Sequence, residues 1–144
     1  NNTMKTSKAH ATWKGTLKKG HGNAEIPSIG QNVQYSFTSR FEDGNGTNPE
    51  ELIATAHAQC FSMAFAGILE ENDYDPKSIT TTGKIGLDKV NGGFEIAKSE
   101  LHCEAEVGGI EAEQLQALAE KAKSNCPVSK ALAISNISVK ATLV

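Results

Sequence analysis

The stretch TNPEELIATAHAQCFSMAFAGIL, residues 47–69, decides the architecture. Thr47 or Asn48 suits a helix cap, Pro49 fits the first helical position, and Glu50 and Glu51 stand at the positive end of the helix dipole. Beyond them Leu52, Ile53, Ala56, Cys60, Met63, Ala64, Gly67 and Ile68 recur at three- and four-residue spacing, and Phe61 and Phe65 widen the stripe. A helix that is apolar nearly all round belongs inside a fold, covered on more than one side. His57, Gln59, Ser62 and the many alanines argue against a membrane span, so no membrane partner is expected.

Working outward, the residues before this helix read as strands. Trp13 and Leu17 alternate with polar residues in TWKGTLKK, as do Val33, Tyr35 and Phe37, with Gly20, Gly22, Pro27 and Gly30 as punctuation. After it, SITTTGKIGLDKV and FEIAKSELHCEAEV form two long strands joined by an Asn91-Gly92-Gly93 turn. The inward set shifts from Phe94 and Ile96 to Leu101, Cys103, Ala105 and Val107, which predicts a bulge near residues 98–100. An amphipathic helix (IEAEQLQALAEKAKSN), a short helix in CPVSKAL and a final strand (ISNISVKATLV) complete an order βββ–α–ββ–α–β. The expected fold class is α+β, with antiparallel strands around a long buried central helix.

The 144 residues suit one domain, expected to span 1–144 with residues 1–8 as a flexible tail. Net charge is −3 and lysines nowhere cluster into a block, so no nucleic-acid partner is expected. The polar start NNTMKTSKAH and the odd count of three cysteines point to a reducing, cytoplasmic setting in which cysteine chemistry is reversible or catalytic.

Cys103 shares a strand face with Leu101, Ala105 and Val107 and reads as a small core hydrophobe. Cys60 lies on an apolar stripe, compatible with packing or with chemistry. Cys126 ends one helix and precedes Pro127, where exposed backbone amides favour a thiolate, unless it is an ordinary boundary residue. A free thiol at about pKa 8.5 is only about 3% ionised at neutral pH, and lowering it to roughly 6 raises the reactive fraction about thirtyfold. Arginine suits that task, because it keeps its proton and presents a rigid fork of donors that a carboxylate can orient. The chain has thirteen lysines and one arginine, Arg40, just ahead of Glu50 and Glu51. A solvated arginine beside helix-dipole carboxylates accounts for that spacing equally well.

Geometry constrains any such grouping. Glu50 and Cys60 are ten residues apart, about 15 Å along one straight helix and pointing in different directions. Either the helix breaks after TNPEEL, or Arg40 and Glu50 serve the cysteine of a second subunit. Two other groupings compete. His57, Cys60 and Cys126 form a weak zinc pattern that lacks a close cysteine pair. His57 is also placed to activate Cys60 for acyl transfer, without an evident third partner.

The runs RFEDGNGTNPEELIATAHAQCFSMAFAGIL, GLDKVNGGFEIAKSELH and KAKSNCPVSKAL, together with the element order, resemble the OsmC/Ohr family of organic hydroperoxide reductases over nearly the whole chain. The resemblance implies an intertwined homodimer with two sites at the subunit interface. It implies a thiol peroxidase in which Cys60 is peroxidatic and Cys126 resolving, and in which Arg40, oriented by Glu50, stabilises the thiolate and the leaving oxygen. The product of one cycle would be a Cys60–Cys126 disulfide, reduced by an external dithiol of lipoyl or similar type, with no metal, haem or flavin. Phe61, Met63 and Phe65 are the residues expected to favour an organic hydroperoxide over hydrogen peroxide. The competing reading from another class is a ligand-binding or structural stress protein on the same scaffold, its cysteines merely buried.

Overall fold

The computed structural model describes residues 4–144, so the first three residues of the expected tail lie outside the described residues. Residues 4–9 are exposed and carry no regular structure. The chain divides into two compact units, one running to Pro49 and the other Glu50–Val144.

In the N-terminal unit, β1 (His10–Lys14), β2 (His21–Ile26) and β3 (Gln31–Tyr35) form an antiparallel sheet in that order. Gly22 pairs with Trp13 on one side and Tyr35 on the other. The Tyr35 ring fills the space a Gly22 side chain would need, and the Trp13 and Tyr35 rings meet at 5.6 Å. Phe37, expected to extend the third strand, instead opens a short helix, α1 (Phe37–Phe41). The cause is local. Ser36 and Ser39 exchange side-chain-to-backbone hydrogen bonds of 3.1 and 2.8 Å, a capping box that turns the chain out of the sheet. Arg40 therefore sits in the last turn of α1. The following loop is tied back by Ser39 Oγ donating to the Thr47 carbonyl and Asn48 Nδ2 donating to the Ser39 carbonyl.

The C-terminal unit is built on α2 (Pro49–Glu71), β4 (Pro76–Val90), β5 (Gly93–Val107), α3 (Ala112–Asn125), α4 (Pro127–Leu132) and β6 (Ile137–Leu143). The β4–β5 hairpin turns through Asn91 and Gly92, both at positive φ (50° and 82°), the type I′ geometry that matches strand twist. Not every strand is antiparallel as expected: β6 runs parallel to β5. The two helices between them return the chain to the same end of the sheet, a crossover that parallel pairing requires. The bulge falls at Ala97, which is skipped between the Gly86–Lys98 and Leu87–Ile96 pairs, one residue ahead of the expected range. Phe94 is exposed rather than inward; the buried series on β5 is Ser99, Leu101, Cys103, Ala105 and Val107.

The core joins this strand face to Phe61, Phe65, Ile68 and Leu69 of α2 and to Leu115, Leu118, Ala119 and Ala122 of α3. The buried stripe of α2 is thus rotated from the one its spacing suggested, and Met63 is 78% exposed. By length and composition α2 meets the requirement for a membrane span, with mean hydropathy 1.5, yet its bulkiest side chains are spent on the chain's own core. At its N-terminal half α2 comes so close to β4 that a Cβ on Gly83 would lie 2.8 Å from the Ala54 carbonyl oxygen. Two turns further along, Ser62 and Thr81 share a 2.7 Å hydroxyl hydrogen bond.

Gly83→Ala should therefore force α2 off β4 and lower stability by about 1–3 kcal/mol in urea unfolding, the usual cost of overpacking. An unchanged midpoint would mean that this approach is not needed to seat the helix.

Candidate active site

Two of the three cysteines come together. Cys60 sits half-buried in the middle of α2, and Cys126 is fully buried at the junction of two helices. Cys126 closes α3, its N–H donating to the Ala122 carbonyl, and it opens α4, with Pro127 in the first helical position. Both thiols are free, and Cys126 lies close enough to Cys60 to act on its ionisation. The Val128 backbone, in the first turn of α4, favours the ionised form of the Cys60 thiol. The backbone influence read from the CPVS sequence thus falls on Cys60, across the helix contact. Cys103 stays apart in the core, where burial pushes its thiol up to about 11 against an opposing Thr81 hydrogen bond.

Electrostatics within the single chain oppose ionisation of Cys60. Burial raises its pKa first and the Cys126 hydrogen bond raises it further, while the Val128 amide pulls the other way without winning. A reactive thiolate needs an additional positive charge.

Arg40 stands on α1 with its guanidinium over the Phe41 ring, 5.3 Å from the centroid. Glu50 lies in the first turn of α2 and is only 7% exposed. Because α2 is one continuous helix from Pro49 to Glu71, the option of a break after TNPEEL is removed, and Glu50 remains about 15 Å along the axis from the Cys60 of its own chain. Phe61 and Phe65, expected around the thiol, are fully buried core residues; Met63 alone of the three is open.

The sequence did not disclose what His57 does. Its ring is fully buried, with Nδ1 2.6 Å from Ser99 Oγ on β5 and Nε2 2.7 Å from Ser129 Oγ on α4. Burial lowers its pKa, so the ring is neutral, and one nitrogen donates while the other accepts. With both nitrogens engaged, His57 has no free lone pair for zinc or for deprotonating Cys60. The available signal was a serine, Ser99, on an otherwise apolar strand face, together with a histidine on an apolar helix. A buried polar group needs a partner, and these two are partners.

Comparison with known proteins identifies the family to which this sequence and fold belong. The family described as OsmC-like protein matches residues 42–142. The chain belongs to that family. It is 48% identical over 126 residues to the peroxiredoxin OsmC of Escherichia coli (strain K12), covering 87% of this chain and 88% of that protein. It is 34% identical over 101 residues to the organic hydroperoxide resistance protein of Xanthomonas axonopodis pv. citri (strain 306), covering 69% and 68%. Among solved structures, the organic hydroperoxide resistance protein OhrB of Bacillus subtilis aligns with a TM-score of 0.68 at 27% identity, over 95% of this chain and 98% of that one. The α+β fold of this OsmC-like chain is accordingly that of its relatives.

In this OsmC-like chain the buried neutral His57 has a pH signature. Its folded pKa is depressed below the unfolded value of about 6.5, so below that pH the unfolded chain binds a proton that the folded chain refuses. Its contribution is complete above about pH 6.5 and is lost as pH falls through the folded value. Unfolding free energy should therefore decline by up to about 1.4 kcal/mol per pH unit below pH 6.5, a slope missing from His57→Gln. Parallel pH profiles for the two proteins would contradict a buried, neutral ring.

Proposed function

We propose that this OsmC-like protein is a thiol peroxidase that reduces organic hydroperoxides to alcohols through Cys60 and Cys126. The observation that carries the reading is the apposition of two free thiols, Cys60 and Cys126, with the backbone amide of Val128 beside the Cys60 sulfur. The names of the relatives, a peroxiredoxin and organic hydroperoxide resistance proteins, support the same chemistry and the substrate class.

The Cys60 thiolate attacks the outer oxygen of the hydroperoxide. The O–O bond breaks, the alkoxide leaves with a proton as alcohol, and Cys60 becomes a sulfenic acid. Cys126 condenses with it, forming the S–S bond and releasing water. An external dithiol, of lipoyl or similar type, then restores both thiols by exchange and is itself oxidised to a disulfide. The scheme draws its electrons from the two cysteines and the dithiol alone. Arg40 supplies the cation that ionises Cys60 and that receives charge on the leaving oxygen, with Glu50 orienting its fork. Such a reaction belongs in a reducing cytoplasm, where dithiol is available.

Arg40 and Glu50 act on the cysteine of a second copy, in a homodimer with two shared sites. Support comes from the unbroken α2, which keeps Glu50 from its own Cys60. It comes also from the apolar surface this helix leaves uncovered, with Met63 78% and Leu52 38% exposed. Between α2 and β4 an open trough of about 590 Å³, lined by Ala54, Ala58, Gln59, Ser62, Ile79 and Gly83, offers a seat for the other copy.

One equivalent of an alkyl hydroperoxide added to reduced protein should produce a Cys60–Cys126 disulfide by mass spectrometry, and a Cys60 sulfenic acid in Cys126→Ser. Untouched thiols would refute the catalytic reading. Arg40→Gln should slow the first step at neutral pH by about thirtyfold or more, the thiolate fraction lost when the pKa returns to about 8.5. Refolding Arg40→Gln together with Cys60→Ser should rebuild active sites that neither variant has alone. No recovery would place Arg40 with the cysteine of its own chain.

A further inference from the structure

We infer that Ser129 and His57 position the resolving cysteine: their hydrogen bond seats α4, and with it Cys126, against Cys60. The inference rests on the two-cysteine reading for its catalytic consequence, but the geometry that carries it is independent of peroxide.

Helix α4 has six residues, too few to be stable unaided. Its neighbours in chain are the fully buried Cys126 before it and Ala133, at a left-handed φ of 52°, after it. Within the helix Pro127, Lys130 and Ala131 are exposed, Val128 and Leu132 are only partly covered, and the single buried residue is Ser129. The helix therefore has no buried apolar side chain to hold it down. Its buried anchor is the Ser129 hydroxyl, 2.7 Å from His57 Nε2. His57 is itself held at 2.6 Å by Ser99, on the well-packed face of β5.

The spacing turns this anchor into a register device. His57 lies one turn before Cys60 on α2, and Ser129 lies one turn after Cys126 across α4. The His57–Ser129 hydrogen bond thus joins the same two segments that bring Cys126 beside Cys60. A disulfide demands a sulfur separation near 2.05 Å and a narrow dihedral range, so a small rotation of α4 removes Cys126 from reach. Directional hydrogen bonds fix that rotation where sparse apolar contact would not. Ser129 and His57 are positioning residues in this sense, acting on the reaction through Cys126.

The readout is the effective concentration of Cys126 towards Cys60, measured by equilibrating the reduced full-length protein with oxidised and reduced glutathione. One protein dithiol and one glutathione disulfide yield the Cys60–Cys126 disulfide and two glutathione thiols, so atoms and electrons balance and no peroxide is involved. Ser129→Ala should lower the effective concentration about fivefold to tenfold, the value of one buried hydrogen bond. His57→Gln should lower it in the same direction. Ser99→Ala, which spares the His57–Ser129 rung, should change it less than Ser129→Ala does. In peroxide-treated Ser129→Ala the ratio of trapped Cys60 sulfenic acid to disulfide should rise. Equal losses in Ser99→Ala and Ser129→Ala, or no loss in Ser129→Ala, would overturn the positioning role. If the parent protein itself forms no Cys60–Cys126 disulfide with glutathione, the proximity of the two thiols is refuted. A parent disulfide with glutathione but none with hydroperoxide would leave the positioning role standing and remove the peroxidase.

Discussion

The continuity of α2 is the constraint on which the rest of the C-terminal unit depends. One unbroken helix from Pro49 to Glu71 carries a buried carboxylate at its start, a buried imidazole and a thiol near its middle, and the bulk of the core beyond them. Each of these is placed by helical geometry alone: His57 and Cys60 are one turn apart, and Glu50 is nearly three turns from the thiol. Aromatic side chains at Phe61 and Phe65 fasten the helix to β5 and α3, so the positions of the polar groups are inherited from apolar packing. A close approach at Gly83 keeps the other half of the helix against β4, where a larger residue has no room.

That seating sets a conflict for the thiol. Burial and a neighbouring thiol stabilise the neutral form of Cys60, and one amide from Val128 offsets them only in part. A guanidinium about 4 Å away contributes about 4 kcal/mol at an effective dielectric near 20. That corresponds to about three pKa units, enough to reverse a moderate desolvation effect. One arginine at that distance would be enough for the role proposed for Arg40. A site that ionises only when a second copy supplies its cation would hold its nucleophile quiet until assembly is complete.

Much of this was legible in the sequence because strong local signals agreed with the fold. Pro49 and the acidic pair marked the start of α2, Asn91-Gly92 marked the hairpin, and Cys126-Pro127 marked the junction of α3 and α4. Where reading failed, a tertiary or short-range polar effect was responsible. Phe37 continued an alternating pattern, but the Ser36–Ser39 capping box outweighed it. The parallel pairing of β6 follows from a two-helix crossover that periodicity does not encode. The buried stripe of α2 was misplaced because a helix apolar on nearly all sides gives no phase, so only packing decides which face turns inward. His57 looked like a ligand or a base because its partners, Ser99 and Ser129, lie 42 and 72 residues away.

A polar anchor for α4 suits the resolving role proposed for Cys126. In that role Cys126 would lie within reach of Cys60 in the reduced state, move a short distance to bond with it, and return when the disulfide is cleaved. A helix locked down by bulky apolar side chains would resist that motion, because close-packed interiors tolerate little displacement. A helix with no anchor would let the thiol wander from reach. Two hydrogen bonds through a neutral imidazole occupy the middle ground: they are directional enough to fix rotation, and each is weak enough, about 1 kcal/mol net, to stretch as sulfur approaches sulfur. Both ring nitrogens and both serine hydroxyls have partners, so the anchor leaves no buried polar group unsatisfied. The same residues that complete the core's hydrogen bonding therefore set the geometry of the thiol pair.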